Sequence, residues 1–123
     1  MKTDFPVIFE RLCKILRKYS QSLTVTADSP SLYCVALEYS PRFKKGFPVA
    51  WVKIGKRYVS YHFMPVYMSP ALKKSLSKKL QARMQGKSCF NFKATDDPLF
   101  HEVEDLTARG FKECRKTGIF PAT

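Results

Sequence analysis

No acidic residue occurs between Glu38 and Asp96. The same window holds Arg42, Lys44, Lys45, Lys53, Lys56, Arg57, Lys73, Lys74, Lys78, Lys79, Arg83, Lys87 and Lys93, which leaves its positive charge unopposed locally. Over all 123 residues, 22 Lys and Arg stand against 10 Asp and Glu, a net charge of +12. Such a balance attracts polyanions: nucleic acid, phosphorylated ligands, acidic lipid surfaces or acidic proteins. The plainer alternative is a solvated surface.

Cysteine is sparse and scattered. Cys13, Cys34, Cys89 and Cys114 fall one per expected element with no Cys-x-x-Cys pair, which argues against zinc or iron–sulfur ligation. Small buried thiols in a reducing cytoplasm are the expectation. Only His62 and His101 are available for acid–base work. His101, beside Glu102, reads as surface decoration; His62 lies on a strand among aromatics. No Gly-x-Gly-x-x-Gly, phosphate loop or zinc signature occurs. No catalytic residue, cofactor or metal is therefore expected. No run approaches the roughly eighteen apolar residues of a membrane span. Asp4 and Glu10 precede any long apolar run, so no signal peptide is read. The expectation is a soluble, cytoplasmic protein with no membrane partner.

What is present suffices for a core. Apolar residues make up 45% of the chain, with ten Phe, six Tyr and one Trp. One domain spanning residues 1–123 is expected, without repeats or linkers, burying roughly two-thirds of its unfolded surface.

Phe5, Ile8, Phe9, Leu12, Ile15, Leu16 and Tyr19 repeat at helical spacing, and Thr3 or Asp4 can cap. Leu23 to Ala27 alternates as a strand, Asp28-Ser29-Pro30-Ser31 turns, and Leu32 to Glu38 follows as a second. Phe47 to Lys53 and Tyr58 to Phe63 read as a hairpin with a two-residue Gly55-Lys56 turn. That turn pairs Val52 with Val59, Ala50 with Tyr61 and Pro48 with Phe63 on the core face. It pairs Lys53 with Tyr58, Trp51 with Ser60 and Val49 with His62 on the other. Ser69-Pro70 starts a helix reaching about Met84 that buries Leu72, Leu76, Leu80 and Met84 and ends at Gly86. Cys89 to Lys93 forms the last strand. Thr95 or Asp96 caps a final helix with Leu99, Val103, Leu106, Gly110 and Cys114 inward, stopped by Gly118 and Pro121. The predicted fold class is α+β: a two-layer domain with about five antiparallel strands, an N-terminal helix, a helix before the last strand and a C-terminal helix.

Gly46-Phe47-Pro48, Tyr61-His62-Phe63, the helix after Ser69-Pro70, Gly86-Lys87-Ser88-Cys89-Phe90-Asn91-Phe92 and Pro98-Leu99 resemble the YdhG-like family over residues 40–115. These are small bacterial domains of unknown function with a frataxin-like arrangement. One branch is regarded as an intracellular iron chaperone, so the resemblance implies iron delivery as an alternative role. Iron of that kind is held by carboxylates on the first helix and strand, where this chain offers only Asp4, Glu10, Asp28 and Glu38. The ligands left for iron are His62, His101, Glu102 and Asp105.

The residues favour a non-catalytic binding module for an anionic partner: nucleic acid, an acidic protein or a phosphorylated ligand. Its ligand-binding set is Trp51, Lys53, Tyr58 and His62, aromatics interleaved with cations on a sheet face. Its anion-binding set is Arg57, Lys73, Lys74, Lys78, Lys79 and Arg83. Exposed Trp51 and Tyr58 also suit a homodimer surface. A third reading is an enzyme or small-ligand pocket using Trp51, Tyr58 and His62. Cys89, between Lys87 and Lys93, is the one nucleophile candidate.

Overall fold

The computed structural model describes residues 4–19, 21, 23–95 and 97–120. Its elements are helix α1 (Phe5–Arg17), strands β1 (Thr24–Asp28), β2 (Leu32–Ser40), β3 (Lys45–Ile54) and β4 (Val59–Phe63), helices α2 (Met64–Met68), α3 (Pro70–Lys74) and α4 (Lys78–Gln81), strands β5 (Met84–Gln85) and β6 (Cys89–Phe92), and helix α5 (Leu99–Lys116). The strands form one antiparallel sheet in the order β1-β2-β3-β4-β6-β5. The chain is an α+β domain with its helices on one side of that sheet. Among the described residues six strands appear where about five are expected, because Met84 and Gln85 pair with Phe90 and Cys89 instead of closing a helix.

Helix α1 begins where Asp4 accepts a hydrogen bond from the Val7 amide at 3.3 Å, with Pro6 in its first turn. Its Ile8, Phe9, Leu12, Ile15 and Leu16 are buried. It ends two residues earlier than the apolar spacing suggests. Tyr19 donates its amide to Leu16 O and sets its ring edge-on to Phe111, with centroids 4.3 Å apart. The inward stripe expected for α5 is buried throughout. Its start differs: Pro98 takes the cap position, and the Leu99 amide donates to the buried carboxylate of Asp97 at 2.9 Å. Asp96 and Pro121, expected at the two ends, lie outside the described residues. Gly118 ends the helix at φ 81°.

The long helix read from Ser69 to Met84 is broken. Leu72, Leu76 and Leu80 are buried as expected, but serines interrupt the backbone ladder. The Ser75 hydroxyl donates to Leu72 O at 2.6 Å. Ser77 caps α4 by accepting from the Leu80 amide at 3.1 Å. Glu102 of α5 then accepts from the Ser77 amide at 2.8 Å and from its hydroxyl at 2.5 Å. Serine side chains compete with helical backbone bonds, and a carboxylate arriving from elsewhere settles the competition.

The β3–β4 turn is also corrected. Four residues, Gly55 to Tyr58, bridge the strands, closed by the Gly55 amide on Tyr58 O at 2.9 Å. The register therefore slips by two residues: Trp51 pairs with His62, Lys53 with Ser60, Val52 with Tyr61 and Ala50 with Phe63. An even slip changes partners and keeps faces. A bulge does change faces. Ala50 opposes Val35 while Pro48 opposes Ala36, so Val49 is the extra residue. Val49 turns into the core and Pro48 to solvent, the reverse of the expected assignment. Proline lacks the N–H that a ladder position needs, and a bulge is where a sheet tolerates it. A second irregularity, between Val25 and Ala27, disrupts the alternation of β1 at the sheet edge.

Behind the sheet, α1 and α5 enclose a continuous apolar core that includes Tyr61, Phe63, Phe90, Phe92, Phe111 and Phe120. Gly110 sits directly beneath Phe63. A β-carbon there would fall inside the ring's van der Waals envelope and lie 3.3 Å from Pro65 Cβ. Glycine is unfavourable in a helix by about 1 kcal/mol; here its lack of a side chain lets α5 approach the sheet. Tyr61 completes the docking through a 2.6 Å bond to Thr107, whose own hydroxyl donates to Val103 O at 2.8 Å.

Candidate functional site: the open sheet face and its edge cleft

Alternation along the strands sends every second residue away from the helices. The pattern is clearest on β4, which reads buried, half-buried, buried, half-buried, buried from Val59 to Phe63; on β6, Asn91 is half-buried while Cys89, beside His62 on the same face, is buried. No described helix crosses this face. Trp51 and His62, cross-strand partners, stack at its centre with ring centroids 4.6 Å apart and planes 16° from parallel. Partial burial against the indole holds the His62 pKa below the usual histidine value, and the nearby Lys53 ammonium lowers it further. Neutral imidazole is therefore the form stacked on Trp51 near neutral pH. Cys34, opposite Trp51, is a half-buried free thiol. Between Lys53 and Asn91 this face carries no carboxylate; Glu38 comes only at the far end of β2.

Tyr58 does not oppose Lys53. It continues the line of His62 and Ser60 along β4 but reaches across β6, where its hydroxyl donates to Gln85 Oε1 at 3.0 Å. The Asn91 amide donates to the same oxygen at 3.0 Å, and Ser60 donates to Asn91 Oδ1 at 2.9 Å. This amide network borders a cleft of about 540 Å³ whose lining includes Tyr58, Arg83, Met84, Gln85, Asn91 and Lys93. The Lys93 ammonium lies 5.8 Å from the Tyr58 ring centroid and has no carboxylate partner among the described residues. Arg83 is held by an ion pair with Asp97, its guanidinium 5.7 Å from the Phe92 ring centroid. The sequence reading gives Gln85, Asn91 and Ser60 no part in a site. The alternation of Asn91 between buried Phe90 and Phe92 was the available signal.

The anion-binding set is dispersed. Lys73, Lys74, Lys78 and Lys79 are exposed on α3 and α4, which pack against α5 in the helical layer. That layer also carries Glu102, bonded to Ser77, and Asp105, paired with Arg109 at 2.8 Å. Arg57 is exposed in the β3–β4 turn, and Arg83 alone joins the cleft. One continuous patch spanning Trp51 and the helix lysines does not form.

The residues named for iron are separated as well. His62 is on the open sheet face, whereas His101, Glu102 and Asp105 are on α5. Among the described residues no group of three or more His, Cys, Asp or Glu comes together to hold a metal ion. Burial raises the Cys89 thiol above its ordinary pKa, the opposite of an activated nucleophile, and pushes Cys13 and Cys114 up to about 12. No described helix is long and apolar enough to cross a membrane. Comparison with protein families, with curated proteins and with solved structures returns no match.

Proposed function

We propose that this chain is a non-catalytic binding module whose open sheet face takes single-stranded nucleic acid. The observation that carries the reading is the Trp51–His62 stack, on a face that no described helix covers, with Lys53 beside it. Bases splayed from a single strand offer flat π-surfaces to aromatic platforms, and their phosphates seek nearby cations. An acidic protein would need the cations alone and leave the stacked rings without a role. The excess of 22 basic over 10 acidic residues draws a polyanion toward the molecule at long range. The reading stands on these residues and does not depend on the YdhG-like resemblance.

Titration of a 3′-fluorescein-labelled ten-nucleotide strand, followed by anisotropy, tests it. Log affinity falls against log salt with a slope of about −0.7 per phosphate neutralised. Trp51→Ala weakens binding by about 1–3 kcal/mol, the worth of one stacked base. Affinity indifferent to salt, or to loss of the indole, would overturn the reading.

A further inference from the structure

We propose that the cleft at the β5–β6 end of the sheet is a binding site for a nucleoside phosphate. The phosphate lies between Lys93 and Arg83, and the base lies against Tyr58 and Met84. The site is separate from the Trp51–His62 platform and goes beyond the reading given for it. Three features point to this ligand class. First, the described residues lining the cleft carry more positive than negative charge. Lys93 has no carboxylate partner among the described residues, while the buried Asp97 is already engaged by Arg83 and by the Leu99 amide. The remaining guanidinium N–H groups of Arg83 and the Lys93 ammonium are the donors that phosphate oxygens favour. Second, about 540 Å³ is far more than a bare phosphate fills and falls within the range of small-molecule sites. Third, Gln85 Oε1 already accepts from Tyr58 and Asn91, which fixes the Gln85 amide and leaves its N–H donors free. Free amide N–H donors of this kind suit acceptor atoms on the edge of a base, such as a purine N7.

The same chemistry is offered by a free nucleotide and by the phosphorylated end of a strand lying on the sheet. A titration of 15N-labelled protein with AMP, with adenosine and with inorganic phosphate tests the site. Saturable shifts of the Gln85 and Asn91 side-chain amides are expected with AMP, with affinity at least tenfold above that of adenosine or of phosphate alone. Lys93→Gln weakens AMP at least tenfold. Lys93 is chosen because it is exposed, whereas removing Arg83 strands the buried Asp97 and endangers the fold. Gln85→Ala, also at an exposed position, provides a second loss. Shifts absent at these amides, AMP no tighter than adenosine or phosphate, or Lys93→Gln without effect each overturn the site. A ten-nucleotide strand bound more tightly with a 5′-phosphate than with a 5′-hydroxyl identifies a strand end as the source; equal affinity identifies the free nucleotide. Strand binding that survives when AMP fails removes the cleft and keeps the sheet-face reading. AMP binding without strand binding does the reverse, and failure of both removes both.

Discussion

The two faces of this sheet are drawn from the same strands, residue by residue, and have opposite fates. On the inner face Tyr61, Phe63, Phe90 and Phe92 are fully sealed beneath α1 and α5. On the outer face Trp51, Ser60, His62 and Asn91 alternate with them and keep partial access to solvent. Inside, aromatic rings meet rings and a glycine: Phe63 lies 5.9 Å from Phe111 and rests on Gly110. Outside, the rings lie beside amides, a histidine and cations. Fully burying one aromatic side chain contributes roughly 1.5–3 kcal/mol; a ring left half in water contributes less to the fold and keeps surface for a partner. The inner face explains why the chain folds. The outer face carries the candidate site.

That contrast breaks most sharply at Gly110. Gly110→Ala gains about 1 kcal/mol of helix propensity, but its methyl group overlaps the Phe63 ring, and overpacking of a tight core costs about 1–3 kcal/mol. Because the obstruction is a sealed ring and not a flexible chain end, the clash is expected to win. A urea midpoint lowered at unchanged slope would show it; a midpoint equal to or above the parent's would mean α5 has room to shift.

Tyr61→Phe probes the same face more gently. Thr107 keeps its bond to Val103 O when the phenol is lost, so the loss is about 1 kcal/mol, that of one hydrogen bond. Thermal unfolding of the two proteins side by side measures it, and a loss several times larger would mean the contact does more than dock one helix.

The smallest effect belongs to the outer face. His62 has a depressed folded pKa, so the unfolded chain binds more protons between that value and about 6.5. The neutral stack is therefore fully stabilising above that window, and its advantage declines as pH falls through it. The stability difference between the parent and His62→Gln is expected to narrow as pH drops from 7 to 5. An NMR titration midpoint for His62 at or above 6.5 would remove the desolvated stack from the account.

Much of the inner face was legible in the sequence. The apolar spacing of α1, the inward stripe of α5 and the leucines at positions 72, 76 and 80 depend on periodicity, which is local. What failed was where the backbone is settled by distant partners. The break after Ser75 needs Glu102, twenty-five residues beyond the Ser77 it holds. The bulge at Val49 needs β2 beside it, and the four-residue turn needs the Ser60–Asn91 pairing of β6 to fix the register. The site was legible in kind and not in grouping. Trp51, Lys53 and His62 share a face as their alternation implies, but Tyr58 belongs to the cleft. The helix lysines belong to another layer, because the helices all pack behind the sheet.

By itself the sequence determined the sign of the net charge, the two layers and the apolar stripes of α1 and α5, since charge and period are properties of the chain read in order. Only the tertiary structure decided that Trp51 lies on His62, that Tyr58 reaches Gln85 and that Arg83 meets Asp97. Each of these is a pairing between residues separated along the chain, and its geometry is set by strand register and helix docking, which no local pattern encodes.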